Sequence, residues 1–162
     1  MNSNYLRIFI FGIFCVVLVC SSRATFAAPT DDACSLLTQA QVSAASPVSV
    51  GPGTYVTPTF KRTCTWSTSG DDAKTVAAIT LLLEDATAFD AGKRLGAAKN
   101  VVITAVSGVG DDAYYLAIAS QVGLIVKKGS VTFKVTVYAG ALSLEKKEAI
   151  EKTLAQLVAS KL

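Results

Sequence analysis

The segment QVGLIVKKGSVTFKVTVY, from Gln121 to Tyr138, leaves this chain few folds to choose from. From Val131 onward the residues alternate. Val131, Phe133, Val135 and Val137 share one side, and Thr132, Lys134, Thr136 and Tyr138 share the other. Side chains on a strand point to opposite faces in turn, so this is a strand with one apolar and one wet face, the pattern of an antiparallel sheet. Lys128-Gly129 separates it from a second apolar run. Gly129 can take positive φ, and the pair reads as a tight hairpin turn.

Other segments fill in the same architecture. Thr38 and Gln41 have the spacing of a capping box, which predicts a short helix starting at Thr38. Pro47, Gly51, Pro52 and Gly53 end it in a bend. TYVTPTF is extended but interrupted by Pro58, which suits an edge or a loop. In RTCTWST, alternation places Cys64 and Trp66 on one face. KTVAAITLLL is apolar on both faces, which predicts a central strand covered on both sides. EDATAFDAGKRLGAAKN reads as a helix with Asp85 near its N-cap. Gly92 and Gly96 weaken that helix by about 1 kcal/mol each relative to Ala, and their four-residue spacing would let it sit close to a sheet. VVITAVS, AYYLAIA and QVGLIVKK read as strands. A last helix starts at Ser143, with Ile150, Leu154, Leu157 and Val158 as its apolar stripe. Strands joined by short turns predict an α+β domain: a mainly antiparallel sheet packed by an N-terminal, a middle and a C-terminal helix.

Residues 1–28 are set apart from this domain. Arg7 precedes the unbroken apolar run Ile8–Cys20, and a small, polar stretch follows, with cleavage expected after Ala27 or Ala28. This is the three-part pattern of a secretory signal peptide. The apolar run spans about 20 Å as a helix, short of a hydrocarbon core of about 30 Å; an uncleaved anchor is the alternative. Val19 before Cys20 and Phe14 before Cys15 argue against lipidation, so membrane anchoring is expected only if the signal is uncleaved or lipidated. The mature chain, residues 29–162, is expected to be one secreted or periplasmic domain.

Two cysteines remain, Cys34 and Cys64. An oxidising compartment and an even count favour a disulfide between them; a pair of buried free thiols is the alternative. The chain holds 15 Lys and Arg against 12 Asp and Glu, and loss of Arg7 and Arg23 leaves 13 against 12. Such a balance gives no electrostatic case for nucleic acid.

Catalytic chemistry finds little to work with. There is no histidine anywhere in the chain. The commonest general base and zinc ligand is therefore missing, and paired cysteines supply no thiolate. No S-x-x-K motif stands on a helix with supporting residues. The Asp-Asp-Ala triplets at 31, 71 and 111 recur at a spacing of 40 residues, but their flanks do not align, so they are no repeat. They do not match a calcium loop; only a weak site using backbone carbonyls stays open, and no metal or cofactor is expected. GVGDD lacks the third glycine of a dinucleotide loop and leads into a strand. Gly108 and Gly110 are expected to turn the chain, with Asp111 or Asp112 bonding the local backbone. Tyr114 and Tyr115 then point to opposite faces, so at most one is exposed. Asp111, Asp112, Tyr114 and Tyr115 are thus the candidate partner contacts: an acidic turn beside an exposed tyrosine.

DACSLLTQAQV, then CTW, then GVGDDAYY and LIVKKGSVTFKVTV, in this order, resemble a family of bacterial secreted proteins and lipoproteins of unknown function. The resemblance covers about residues 32–160. It implies a Cys34–Cys64 disulfide and a fold similar to PsbP-like domains, and it carries over no catalytic residues. Many members are lipid-anchored, and the context of Cys20 departs from them. PsbP-like domains act largely in binding or assembly. The expectation is a non-catalytic secreted binding or assembly module whose partner is an unknown protein or envelope component. The alternatives are a carrier of a small apolar ligand held between sheet and helices, and an unusual hydrolase.

Overall fold

A computed structural model describes residues 31–47, 49–68, 78–99 and 101–162. The expected signal peptide and the Asp71-Asp72 pair lie outside the described residues. Among the described residues, four helices and seven strands follow one another as α1 (Ala33–Leu36), α2 (Gln39–Ala45), β1 (Thr54–Thr57), β2 (Phe60–Ser67), β3 (Ala78–Asp85), α3 (Ala86–Ala98), β4 (Val102–Val106), β5 (Asp112–Ile118), β6 (Gln121–Lys128), β7 (Val131–Tyr138) and α4 (Leu144–Ala159). The strands form one sheet in the order β1-β2-β3-β7-β6-β5-β4, antiparallel throughout. The α+β class expected from the sequence is the class observed.

The topology has a simple grammar. β1, β2 and β3 form one meander; β4, β5, β6 and β7 form another. A single seam, β3 against β7 from Ala78↔Tyr138 to Asp85↔Val131, joins them. α3 carries the chain from the seam to the far edge at β4. Two two-residue loops close the β5–β6 and β6–β7 hairpins. The second holds Gly129 at φ +56°, as its sequence predicts; the first holds Ala119 at φ +54°.

Local signals explain the ends of the helices. The capping box forms: the Gln41 N–H donates to Thr38 Oγ1, and the Thr38 N–H donates to Gln41 Oε1 at 3.0 Å. Asp32 caps the short α1, which precedes the helix expected from Thr38 and was not foreseen. Ser143 caps α4. Asp85 stands at the N-cap of α3, but its carboxylate accepts from Arg62 at 3.0 Å instead of from the helix.

The main core lies on the face of the sheet covered by α1, α2 and α4. Cys64, Trp66, Ile79, Leu81, Leu83, Leu124, Val126, Phe133, Val135 and Val137 point there, against Leu36, Leu37, Val42, Leu154 and Val158. The alternation read in the sequence is the alternation seen. Cys34 and Cys64 form a disulfide that pins α1 to β2. Trp66 lies beside it; a Cβ on Gly53 would come within 2.7 Å of Cys64 Sγ and 2.8 Å of Trp66 Nε1. The stripe of α4 is as expected, except that Lys147 and Glu151 are buried on it as well.

The opposite face corrects two expectations. β7 was expected to present a wet face, yet Thr132 and Thr136 are buried. β3 was expected to be covered on both sides, yet Ala78, Thr80 and Leu82 are only half-buried. One element accounts for the burial of Thr132, which donates to the Ala86 carbonyl, and for the partial cover of β3. α3 packs on this face across β3, β4, β6 and β7, over a small cluster of Phe89, Tyr114 and Ile125 flanked by Ile103 and Leu116. It shields part of the face and leaves the rest bare. Its close approach depends on the two glycines: a Cβ on Gly92 would overlap the Tyr114 hydroxyl, and one on Gly96 would lie 2.6 Å from Ile103 Cδ1.

Candidate functional site

The sequence singles out the acidic turn between β4 and β5. Gly108 and Gly110 have φ of +78° and +59°, and the chain bends there into β5. Gly110 has no room for a side chain, since a Cβ would lie 2.5 Å from the Lys127 carbonyl oxygen. The Asp111 N–H donates to that same oxygen at 2.8 Å. Asp111 does bond backbone, but of the neighbouring hairpin: the Gly129 N–H donates to its Oδ2 at 2.7 Å, and Lys128 Nζ donates to Oδ1 at 3.1 Å. Asp112 accepts from Lys93 Nζ at 2.8 Å. The Gly129 amide, then Lys128, hold the Asp111 carboxyl below its usual range; Lys93 does the same for Asp112. Both acids act as clasps, one tying two hairpins together and the other tying α3 to β5.

Neither tyrosine is exposed, which corrects the reading of an exposed tyrosine beside the turn. They do point to opposite faces. Tyr114 lies under α3, its ring edge-on to Phe89 with centroids 5.0 Å apart, and its hydroxyl donates to the Phe89 carbonyl at 3.0 Å. Tyr115 lies under α4 and donates to the Glu148 carbonyl at 2.6 Å. Burial raises both phenols above their ordinary pKa. Lys93 sits 4.6 Å from the Phe89 ring centroid and 5.4 Å from that of Tyr114, so the rings and Asp112 share one cation. The four residues are neighbours in the chain but serve two opposite layers.

A second polar cluster lies under α4. The β6–β7 ladder runs from Lys128↔Val131 to Gly123↔Thr136. Next to its end the Val137 N–H donates to Glu151 Oε1 at 2.9 Å. One helical turn earlier, Lys147 Nζ donates to the Ser120 carbonyl at 3.0 Å and so holds the β5–β6 loop. Glu151 Oε2 is buried without a hydrogen-bond partner. Burial drives the Glu151 carboxyl up to about 8, with Glu148 adding to the rise and the Val137 amide and Lys147 opposing it. These groups hold strand ends and a turn on a helix.

A groove does open on the other face, where α3 stops covering the sheet. It has two lobes that share Leu116, Ile125 and Lys134. The larger, about 360 Å³, lies beside α3 and is walled by Ala88, Ala91, Leu95 and Tyr114, with Glu84 also lining it. The smaller, about 190 Å³, runs between Ile118, Gln121, Thr136 and Tyr138. Its floor is a notch at Gly123, where a Cβ would stand 3.1 Å from Thr136 Oγ1. Three large apolar side chains stay exposed along it: Leu95 at 58%, Ile118 at 57% and Tyr138 at 42%. Sequence reading passed over these residues. Their signal was there, in Gly123 interrupting an apolar strand and in the same-side set Lys134, Thr136 and Tyr138.

Among the described residues, no three of the His, Cys, Asp or Glu side chains gather as a metal centre. No helix among them is long and apolar enough to cross a membrane. No family model, curated protein or solved structure matches this chain, so the site stands on its own geometry.

Proposed function

We propose that this chain is a secreted, non-catalytic binding module that carries a small ligand with an apolar body in the groove between α3 and the sheet. The observation that carries the reading is the groove itself. Apolar walls with a few convergent polar groups are the ordinary make-up of a small-molecule site, and the larger lobe, about 360 Å³, is within the size range of such sites. The Cys34–Cys64 disulfide supports an oxidising compartment and hence export. An antiparallel sheet between helices supports the likeness to PsbP-like domains, where binding and assembly are the common roles.

The assembly reading, with a protein or envelope component as partner, has its candidate contacts at the acidic turn. There the carboxylates are engaged by Lys128, the Gly129 amide and Lys93, and both tyrosines are buried, which favours the groove instead. The same engagements weigh against a hydrolase built on Asp111 or Asp112.

Native mass spectrometry of the protein released gently from its own envelope tests the reading. One small bound mass is expected, lost when Gly123→Ile fills the notch. Repeated spectra of the bare chain from several preparations would count against it. Terminal sequencing of the exported product should begin at Ala28 or Pro29.

A further inference from the structure

The geometry points to a carboxylate-headed, single-chain amphiphile as the ligand of the groove, its head at Lys134 and its chain under α3. The inference rests on the carrier reading above and deepens it. The two lobes differ in chemistry. In the smaller one, Lys134 is the only charged lining group. Lys134, Gln121, Thr136 and Tyr138 each bring a polar side chain to it, and none of the four makes a side-chain hydrogen bond or ion pair among the described residues. Of the neighbouring cations, Lys93 is engaged by Asp112, and Lys127, which makes no ion pair among the described residues, lines neither lobe.

The stem of Lys134 lies across the Gly123 notch, where a Cβ on Gly123 would meet its Cδ at 3.6 Å and Cγ at 3.7 Å. Lys134 therefore borders both lobes, its cation unpaired at the edge of an apolar slot. An unpaired ammonium half-buried beside apolar walls favours an anion with a hydrocarbon body over a neutral or cationic one. Hydroxyl and amide donors next to it suit carboxylate oxygens. The larger lobe, with Ala88, Ala91, Leu95 and Ile125, is the one suited to the chain. Glu84, diagonal to Lys134 across the β3–β7 seam, lines the larger lobe, whereas no carboxylate lines the smaller one, so the head belongs on the smaller-lobe side of Lys134.

The full secreted chain is titrated with octanoate, decanoate and dodecanoate below their micelle concentrations, and with decanol and decyltrimethylammonium as neutral and cationic probes. Affinity is expected to rise about twofold to fourfold per added methylene. Decanoate should bind about threefold to fivefold tighter than decanol, a margin that shrinks with salt, and the cation should bind weakest. Lys134→Gln should erase that margin while leaving decanol within about twofold, and Gly123→Ile should weaken all three. Because Gly123→Ile crowds a strand, Ile118→Glu at the exposed mouth serves as the second variant; it should weaken decanoate more than decanol at an unchanged melting temperature. Equal binding of decanoate and decanol, or a full margin in Lys134→Gln, would overturn the head-group assignment and leave the carrier reading standing. No binding of any chain at about 1 mM, from protein whose native spectra carry a bound mass, would overturn the amphiphile alone; with bare spectra it removes both.

Discussion

Two residues sit where their type is unfavourable, and each makes a measurable statement. Ala119 has φ +54° in the β5–β6 loop, a conformation that glycine adopts freely and that costs an L-residue about 1–2 kcal/mol. Lys147 holds the next carbonyl and keeps the loop closed regardless. Ala119→Gly should therefore raise stability by about 1 kcal/mol, less the added entropy of the unfolded chain, read as a higher urea midpoint at unchanged slope. Glu151 is the other. Its folded pKa of about 8 lies above its ordinary value of 4.5, mainly through burial. Between those values the folded state binds the proton and the unfolded state releases it, so stability falls as pH rises. The groups facing it are Val137 from the sheet, Lys147 and Glu148 from its own helix, and Tyr115 from β5. The protein should be most stable below about pH 4.5 as far as this group is concerned, and should lose a few kcal/mol by about pH 8. Glu151→Gln, which keeps an acceptor for Val137, should flatten that slope in urea melts taken across the range.

At the scale of elements, the contact of α3 with the sheet is the most exacting. Gly92 faces the Tyr114 hydroxyl with no space for a methyl, so Gly92→Ala should push the helix away and cost about 1–3 kcal/mol, although alanine favours a helix. Circular dichroism melts of Gly92→Ala beside an exposed control, Ala97→Gly, separate the two effects. The elements themselves were largely legible. The capping box at Thr38, the Ser143 cap, the Lys128-Gly129 turn and the alternation of β7 are local patterns, and local patterns survive into the fold. The placement of α3 was not legible, because it depends on which part of a distant sheet it covers. For that reason the outer face of β7 was misjudged and the groove missed. The acidic turn misled for a related reason: Asp111 finds its partners at Lys128 and Gly129, on a hairpin that sequence cannot show to be adjacent. Glu151 escaped because an apolar stripe gives no hint that a carboxylate on it is capping a strand.

For the molecule as a whole, the disulfide links the first described helix to β2 across a separation of 30 residues. The chain-entropy model gives such a loop about 3.6 kcal/mol, and Cys34→Ser with Cys64→Ser should lower stability by about 2–4 kcal/mol in urea melts. Intact mass of the native protein should stand two hydrogens below that of the reduced form; two alkylatable thiols in native protein would refute the bond. The sheet's order, with β7 set between β3 and β6, lies beyond any local signal, since β3 and β4 are successive strands at the centre and the edge of one sheet. The seam between β3 and β7 has a further consequence. A meander of β1–β3 with α1, α2 and α3, and one of β4–β7 with α4, meet along that single ladder and through the helices packed across it. They are joined covalently only where α3 passes into β4. The chain is thus built as a natural pair of fragments. Expressed as two polypeptides divided at that link, the halves should find each other and rebuild one sheet, so that fusing each to half of a split reporter would turn assembly of this domain into a signal.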